Sequence, residues 1–219
     1  MSFSTVADHL PDIVAGTLRT LEITTFAFLV ALVVGIPLAA LMSLRPALLR
    51  GFSGFLLLML RGLPELVALY LLYYGFGSRG ISMGPVVAAC IALGVIQAAF
   101  VAEIYGASLR TIAQGQREAA AAIGLRGWQQ WRLVLAPQAL RFSVPPLVNV
   151  YLALLKLSVL ASAIGAGELL FEAQSIMNES FDILPIALVV VGIFLAITLP
   201  LTWMTRRLER RLRIGQVAR

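Results

Sequence analysis

The chain has 219 residues, 60% of them hydrophobic and 13% charged, where a soluble domain carries about 25% charged residues. So apolar a chain cannot cover a core with polar surface, which excludes an ordinary water-soluble domain and makes lipid the solvent for much of it. Its 17 basic residues, all Arg except Lys156, give a net charge of +6; they cluster at the ends of apolar runs, so they are read as orientation signals and no nucleic-acid partner is expected.

Residues 1–15 are expected to form an extracytoplasmic N-terminal segment. Within it His9, beside Asp8 and Asp12, reads as a solvated histidine rather than a ligand, and no metal site is expected anywhere. The first basic residue is Arg19, so the basic n-region of a cleavable signal is missing and later spans are expected to direct insertion. A bilayer core takes about 20 apolar residues in a helix. Five stretches qualify: residues 24–44, 52–76, 83–104, 140–164 and 183–204, the second interrupted at 61–65. Cys90 lies in the third. A single thiol forms no internal disulfide and reads as a small packed side chain.

Orientation follows from the arginines. Arg45 and Arg50 join spans one and two; Arg110, Arg117, Arg126 and Arg132 join spans three and four; Arg206, Arg207, Arg210, Arg211 and Arg213 follow span five. The other side has Arg19 and Arg79, and a last loop with Glu168, Glu172, Glu179 and Asp182. The expected fold is therefore all-α and polytopic, with five transmembrane helices, the N-terminus outside and the C-terminus cytoplasmic. No internal repeat is visible, which argues against a self-sufficient secondary transporter.

The linker between spans three and four, about residues 109–137, carries the strongest local pattern. Residues 117–122 favour helix, and Gly124 suits the left-handed position that ends one. Trp128, Trp131 and Leu135 then fall on one face of a second short helix, closed by Pro137. On pattern alone this is either an interfacial amphipathic hairpin with Trp at the headgroups or a docking element.

Glu118-Ala119-Ala120, three residues, Gly124, nine residues and Val134-Leu135-Ala136-Pro137 resemble the EAA loop of ATP-binding-cassette (ABC) importer permeases, with Ala136 where that family usually has Leu. The resemblance extends along the chain. Residues 16–25, Arg61-Gly62-Leu63-Pro64 with Tyr73-Tyr74-Gly75, Ala102-Glu103-Ile104, Gly115-Gln116-Arg117-Glu118, Pro145-Pro146-Leu147-Val148-Asn149 and Leu154-Leu155-Lys156 are similar to the polar amino-acid branch. It implies the type I importer transmembrane fold over 16–205 and a basic cytoplasmic tail over 206–219. It also implies a multi-pass protein of the bacterial inner membrane, with a coupling loop at Gln116, Glu118, Ala119, Ala120, Gly124, Trp128 and Pro137 docked on a partner ATPase dimer. The implied partners further include a second permease, related but distinct or else identical, an extracytoplasmic amino-acid-binding protein and membrane lipid. No phosphate-binding loop is present, since Lys156 follows Leu155 rather than Gly. The chain is thus expected to be no enzyme, to have no catalytic residues, and to hold no cofactor; ATP and Mg would sit on the ATPase.

Charges within the spans cost roughly 2.5–3.5 kcal/mol each at the bilayer centre unless paired or hydrated. Arg61 and Glu65 are four apart and fit a pair along one helix face, but Pro64 between them should kink or break the helix, as in spans that line substrate sites. Glu65 and Lys156 each lie 15 residues from a cytoplasmic arginine, Arg50 and Arg141, hence about 22 Å deep, and are expected to share a network with Arg61. Glu103 reads as structural, near the cytoplasmic gate. Asn149, Tyr151 and Ser158 are polar enough to line a pathway. All the intramembrane charges also read as staples between helices. The histidine, basic-amino-acid and opine subunits of the family resemble this chain in having an acidic residue after that Pro, which implies a cationic substrate at Glu65. The rival readings are a secondary transporter or channel using Arg61, Glu65 and Lys156 as a relay, a membrane scaffold, and an ABC permease for another small polar solute.

Overall fold

The structure, a computed structural model, describes residues 4–42 and 47–217. Arg45 lies outside them, and so do the side chains of Arg50, Arg211 and Arg213. Among the described residues every regular element is helical. The order is α1 (Ser4–Asp8), α2 (Leu10–Met42), α3 (Ala47–Gly62), α4 (Glu65–Tyr70) with a π turn at Leu71–Gly75, and α5 (Pro85–Thr111). Then come α6 (Gln114–Ala122), α7 (Trp128–Gln130) with a π turn at Trp131–Leu135, α8 (Ala136–Leu157) with a 3-10 extension at Ser158–Ile164, α9 (Leu169–Ser180) and α10 (Ile183–Val217).

Among the described residues, four helices are long and apolar enough to cross a membrane: Leu10–Met42, Pro85–Thr111, Trp128–Ile164 and Ile183–Arg210. The broken pair Gly51–Gly62 and Glu65–Gly75, bent by 96°, is the candidate for the fifth span. The break was expected, because Pro64 supplies no N–H and its ring clashes with the preceding turn. The size of the bend makes it an elbow rather than a kink.

Two glycines fix the main contact, α2 along α5. A Cβ on Gly94 would lie 2.6 Å from the Ala27 carbonyl oxygen, and one on Gly35 would lie 2.6 Å from that of Ala98. Small residues let the two backbones approach, the usual device where lipid offers no hydrophobic drive between helices. The central core then gathers Ile23, Ala27, Leu69, Leu93, Val101 and Leu154 from α2, α4, α5 and α8.

Two expectations need correction. The first helix begins at Leu10 rather than near residue 24, because Ile13 and Gly16 have a partner in α9: Ile13 joins Leu169, Ala173, Ile176 and Ile186 in a satellite core, and Gly16 sits against Leu169. Pro137 does not close a helix. The chain runs on from Trp128 to Ile164, and the π turn just before Pro137 lets the helix pass, since i→i+5 bonding relieves the i−4 carbonyl that a proline cannot satisfy. Helix α10 continues to Val217.

Candidate functional site

The linker between α5 and α8 is an ordered hairpin. Its helix α6 ends in a Schellman motif: the Leu125 N–H donates to the Ala120 carbonyl and the Gly124 N–H to the Ala121 carbonyl, both at 3.0 Å. Gly124 has φ +83, a conformation that costs an L side chain about 1–2 kcal/mol. The Gln130 side-chain amide donates to the Leu125 carbonyl at 2.7 Å, and that of Gln138 donates to Gln116 Oε1 at 3.3 Å. A small core of Ile112, Leu135 and Ala139 fixes the hairpin to both spans.

The far side of the hairpin is bare. Glu118, Ala119 and Gly124 are exposed, Ile123 is 75% and Trp128 64% exposed, and Ala120 is buried. The rings of Trp128 and Trp131 stack at 5.0 Å, as their spacing suggested, but Leu135 turns inward to the small core. Exposed apolar side chains on a charged hairpin mark a surface for contact with protein or membrane.

The intramembrane charges are distributed differently from expectation. Arg61 donates to the Glu103 carboxylate and lies 4.9 Å over the Phe100 ring; it makes no ion pair with Glu65. The break at Pro64 takes Glu65 off the helix of Arg61, so the four-residue spacing no longer brings them together. Glu65 is half-buried and Lys156 exposed, and neither has an ion-pair partner among the described residues. No direct ion pair joins Arg61, Glu65 and Lys156 among the described residues. Asn149 is exposed on the face of α8 that carries Lys156, two turns on. Tyr151 leaves that face: its hydroxyl meets Thr25 at 3.2 Å and its ring packs edge-on to Phe28, tying α8 to α2. Ser158 is fully buried and donates to the Leu155 carbonyl at 2.9 Å.

Helix α9 and its cap were missed. Glu168 is fully buried, and its carboxylate accepts from the Leu170 and Phe171 N–H groups, both at 2.9 Å. The Leu169 N–H donates to the Thr20 hydroxyl at 3.1 Å. The signal was present, an acidic cap followed by Leu169, Ala173 and Ile176 at helical spacing. Burial pushes the Glu168 carboxyl up to about 7, against the opposing effect of the Leu170 and Phe171 amides and the Thr20 hydroxyl, with Glu172 adding to the rise. The unfolded chain titrates near 4.5, so the folded state holds the proton more tightly. Stability is then greatest below that value and falls as pH rises towards 7, by at most about 3 kcal/mol. We expect the melting temperature in detergent to fall between pH 5 and 7, and Glu168→Gln to flatten that slope; equal slopes in both proteins would contradict the titration.

Residues 31–214 match the model of the family described as "binding-protein-dependent transport system inner membrane component". The "probable amino-acid ABC transporter permease protein YckA" of Bacillus subtilis is 35% identical over 87% of this chain and 84% of its own length. The glutamine transport system permease protein GlnP of Escherichia coli is 31% identical over 97% and 98%. A solved structure described as an amino acid ABC transporter with histidines superposes with a TM-score of 0.88 at 27% identity, covering 96% of this chain and 99% of that one. The chain therefore belongs to the family of binding-protein-dependent transport system inner membrane components: it is a multi-pass permease subunit of an ABC importer, catalyses nothing itself, and works with a separate ATPase and another permease subunit.

Proposed function

We propose that this permease imports a cationic polar amino acid or a derivative of one, received from an extracytoplasmic binding protein and recognised in part by Glu65. The observation that carries the reading is a half-buried carboxylate without an ion-pair partner among the described residues, placed at the elbow of the broken span. A carboxylate in that setting suits an amine or guanidinium. Asn149 and Lys156, exposed on one face of α8, complete the group assigned to the pathway, where Lys156 suits the carboxylate of an amino acid. The exposed hairpin residues Glu118, Ala119, Gly124 and Trp128 are the grip of the ATPase, with Gln116 and Ala120 bracing them from within and Pro137 just past the π turn. The arginine-rich end of the molecule is cytoplasmic. The second permease is taken to be a related but distinct chain.

The test is ATP-dependent uptake in proteoliposomes holding both permeases, the ATPase and the binding protein. We expect labelled arginine to enter, with competition by other cationic amino acids and opines. Competition by glutamine alone would remove the cationic assignment while leaving the importer class intact.

A further inference from the structure

We propose that the Arg61–Glu103 pair is the contact through which the ATPase-driven hairpin moves the elbow of the broken span. The idea rests on the reading of the hairpin as the coupling element. Arg61 lies in the last turn of α3, three residues before Pro64. Helix α5 holds its guanidinium twice, by the Glu103 carboxylate and by the Phe100 ring. Phe100 and Glu103 are three apart and so share one face of α5.

Helix α5 runs unbroken from Pro85 to Thr111, and only Ile112 and Ala113 separate it from α6. Glu103 and the coupling hairpin thus ride on one lever, with Glu103 about 12 Å from its end by helical rise. On the other side of the elbow, Glu65 opens α4. The apolar anchors of the broken span lie to either side: Leu57 packs with Ala99 and Ala102 before the break, and Leu69 joins the central core after it. At the elbow itself Gly62 has no heavy atom within 4 Å of where a Cβ would stand. Arg61 therefore supplies a polar tie from α5 to a corner that is otherwise loosely held.

The pair is also accessible, its side chains 41% and 45% exposed. A half-exposed ion pair is costly against hydrocarbon, so its open side faces water or protein. Such a pair can be remade in a second arrangement, where a fully buried one would leave stranded charges. Arg61 and Glu103 are accordingly positioning residues: they tie the elbow to α5 and act on its movement rather than on substrate recognition.

The experiment uses the complete transporter in proteoliposomes and compares wild type, Glu103→Gln, Arg61→Gln and the swap of Arg61→Glu with Glu103→Arg. For Glu103→Gln we expect basal ATPase and substrate KM within about twofold of wild type and uptake kcat down by about tenfold or more. Arg61→Gln should lose uptake likewise, and the swap should recover about half of the lost rate, the signature of direct coupling between two side chains. Wild-type uptake in both single variants, or a swap no better than either, overturns the proposal. If the swap does not assemble, Arg61→Lys decides instead: uptake well above that of Arg61→Gln supports the pair, and equal loss refutes it. A parallel Gly124→Val sample separates the two ideas. If it uncouples while the pair variants transport normally, the pair proposal alone fails; if it couples normally, the hairpin reading fails.

Discussion

Replacing Gly124 by Val is expected to leave insertion and complex assembly intact and to cut the ATPase stimulation by substrate-loaded binding protein by about tenfold or more, roughly 1.4 kcal/mol of lost coupling. The reasoning is conformational. Nothing lies within 4 Å of a Cβ at this position, so no packing is broken. The φ of +83 is what a β-branched residue cannot adopt without strain. The Schellman bonds from Leu125 and Gly124 would open, and α6 would lose its fixed angle to the next turn. Gly124→Asn is the control, because Asn tolerates the left-handed region, and it should stay near wild type. Glu118→Lys attacks the same surface by charge alone: Glu118 is exposed, and its carboxylate accepts a hydrogen bond from the Gln114 side-chain amide. It should uncouple without unfolding. Wild-type stimulation in both Gly124→Val and Glu118→Lys would contradict docking.

Removing the charge at Glu65 is expected to have the second large effect. A hydrogen bond to a charged group contributes about 1.5–3 kcal/mol, so Glu65→Gln should weaken recognition of a cationic amino acid by roughly 10- to 150-fold. Uptake of a neutral analogue should change little, since Glu65 supports no ion pair among the described residues. The measurement is paired uptake of arginine and its uncharged isostere citrulline by the reconstituted transporter. Equal loss for both would make Glu65 a structural residue; no loss for either would remove it from the pathway.

The sequence was most legible where local chemistry decides the backbone. Gly124 sits where a helix must end, and the structure ends one there. Pro64 breaks the second span because a proline ring leaves the chain no alternative. Legibility failed where distant segments decide. Arg61 is four residues from Glu65 in sequence, yet its partner is Glu103, because the elbow turns Glu65 away and α5 offers both a carboxylate and a ring. Residues 10–23 look too polar to start a membrane helix, with Asp12, Arg19 and Glu22 among them, and only their contact with α9 explains why they belong to one. Pro137 reads as a stop signal, and the π turn that carries the helix past it leaves no trace in apolar spacing. Ser158 is polar but lies in a 3-10 turn that satisfies its hydroxyl internally.

The length of α2 has a consequence for the membrane around the protein. Its 33 residues reach about 50 Å at 1.5 Å each, against a hydrocarbon slab of about 30 Å. Leaning alone does not absorb that mismatch at the inclinations helices adopt. The excess must emerge at the end carrying Asp12, Arg19 and Glu22, as a strut standing clear of the acyl chains with α9 braced against it. Bilayers of different thickness would then be matched at different heights along this strut.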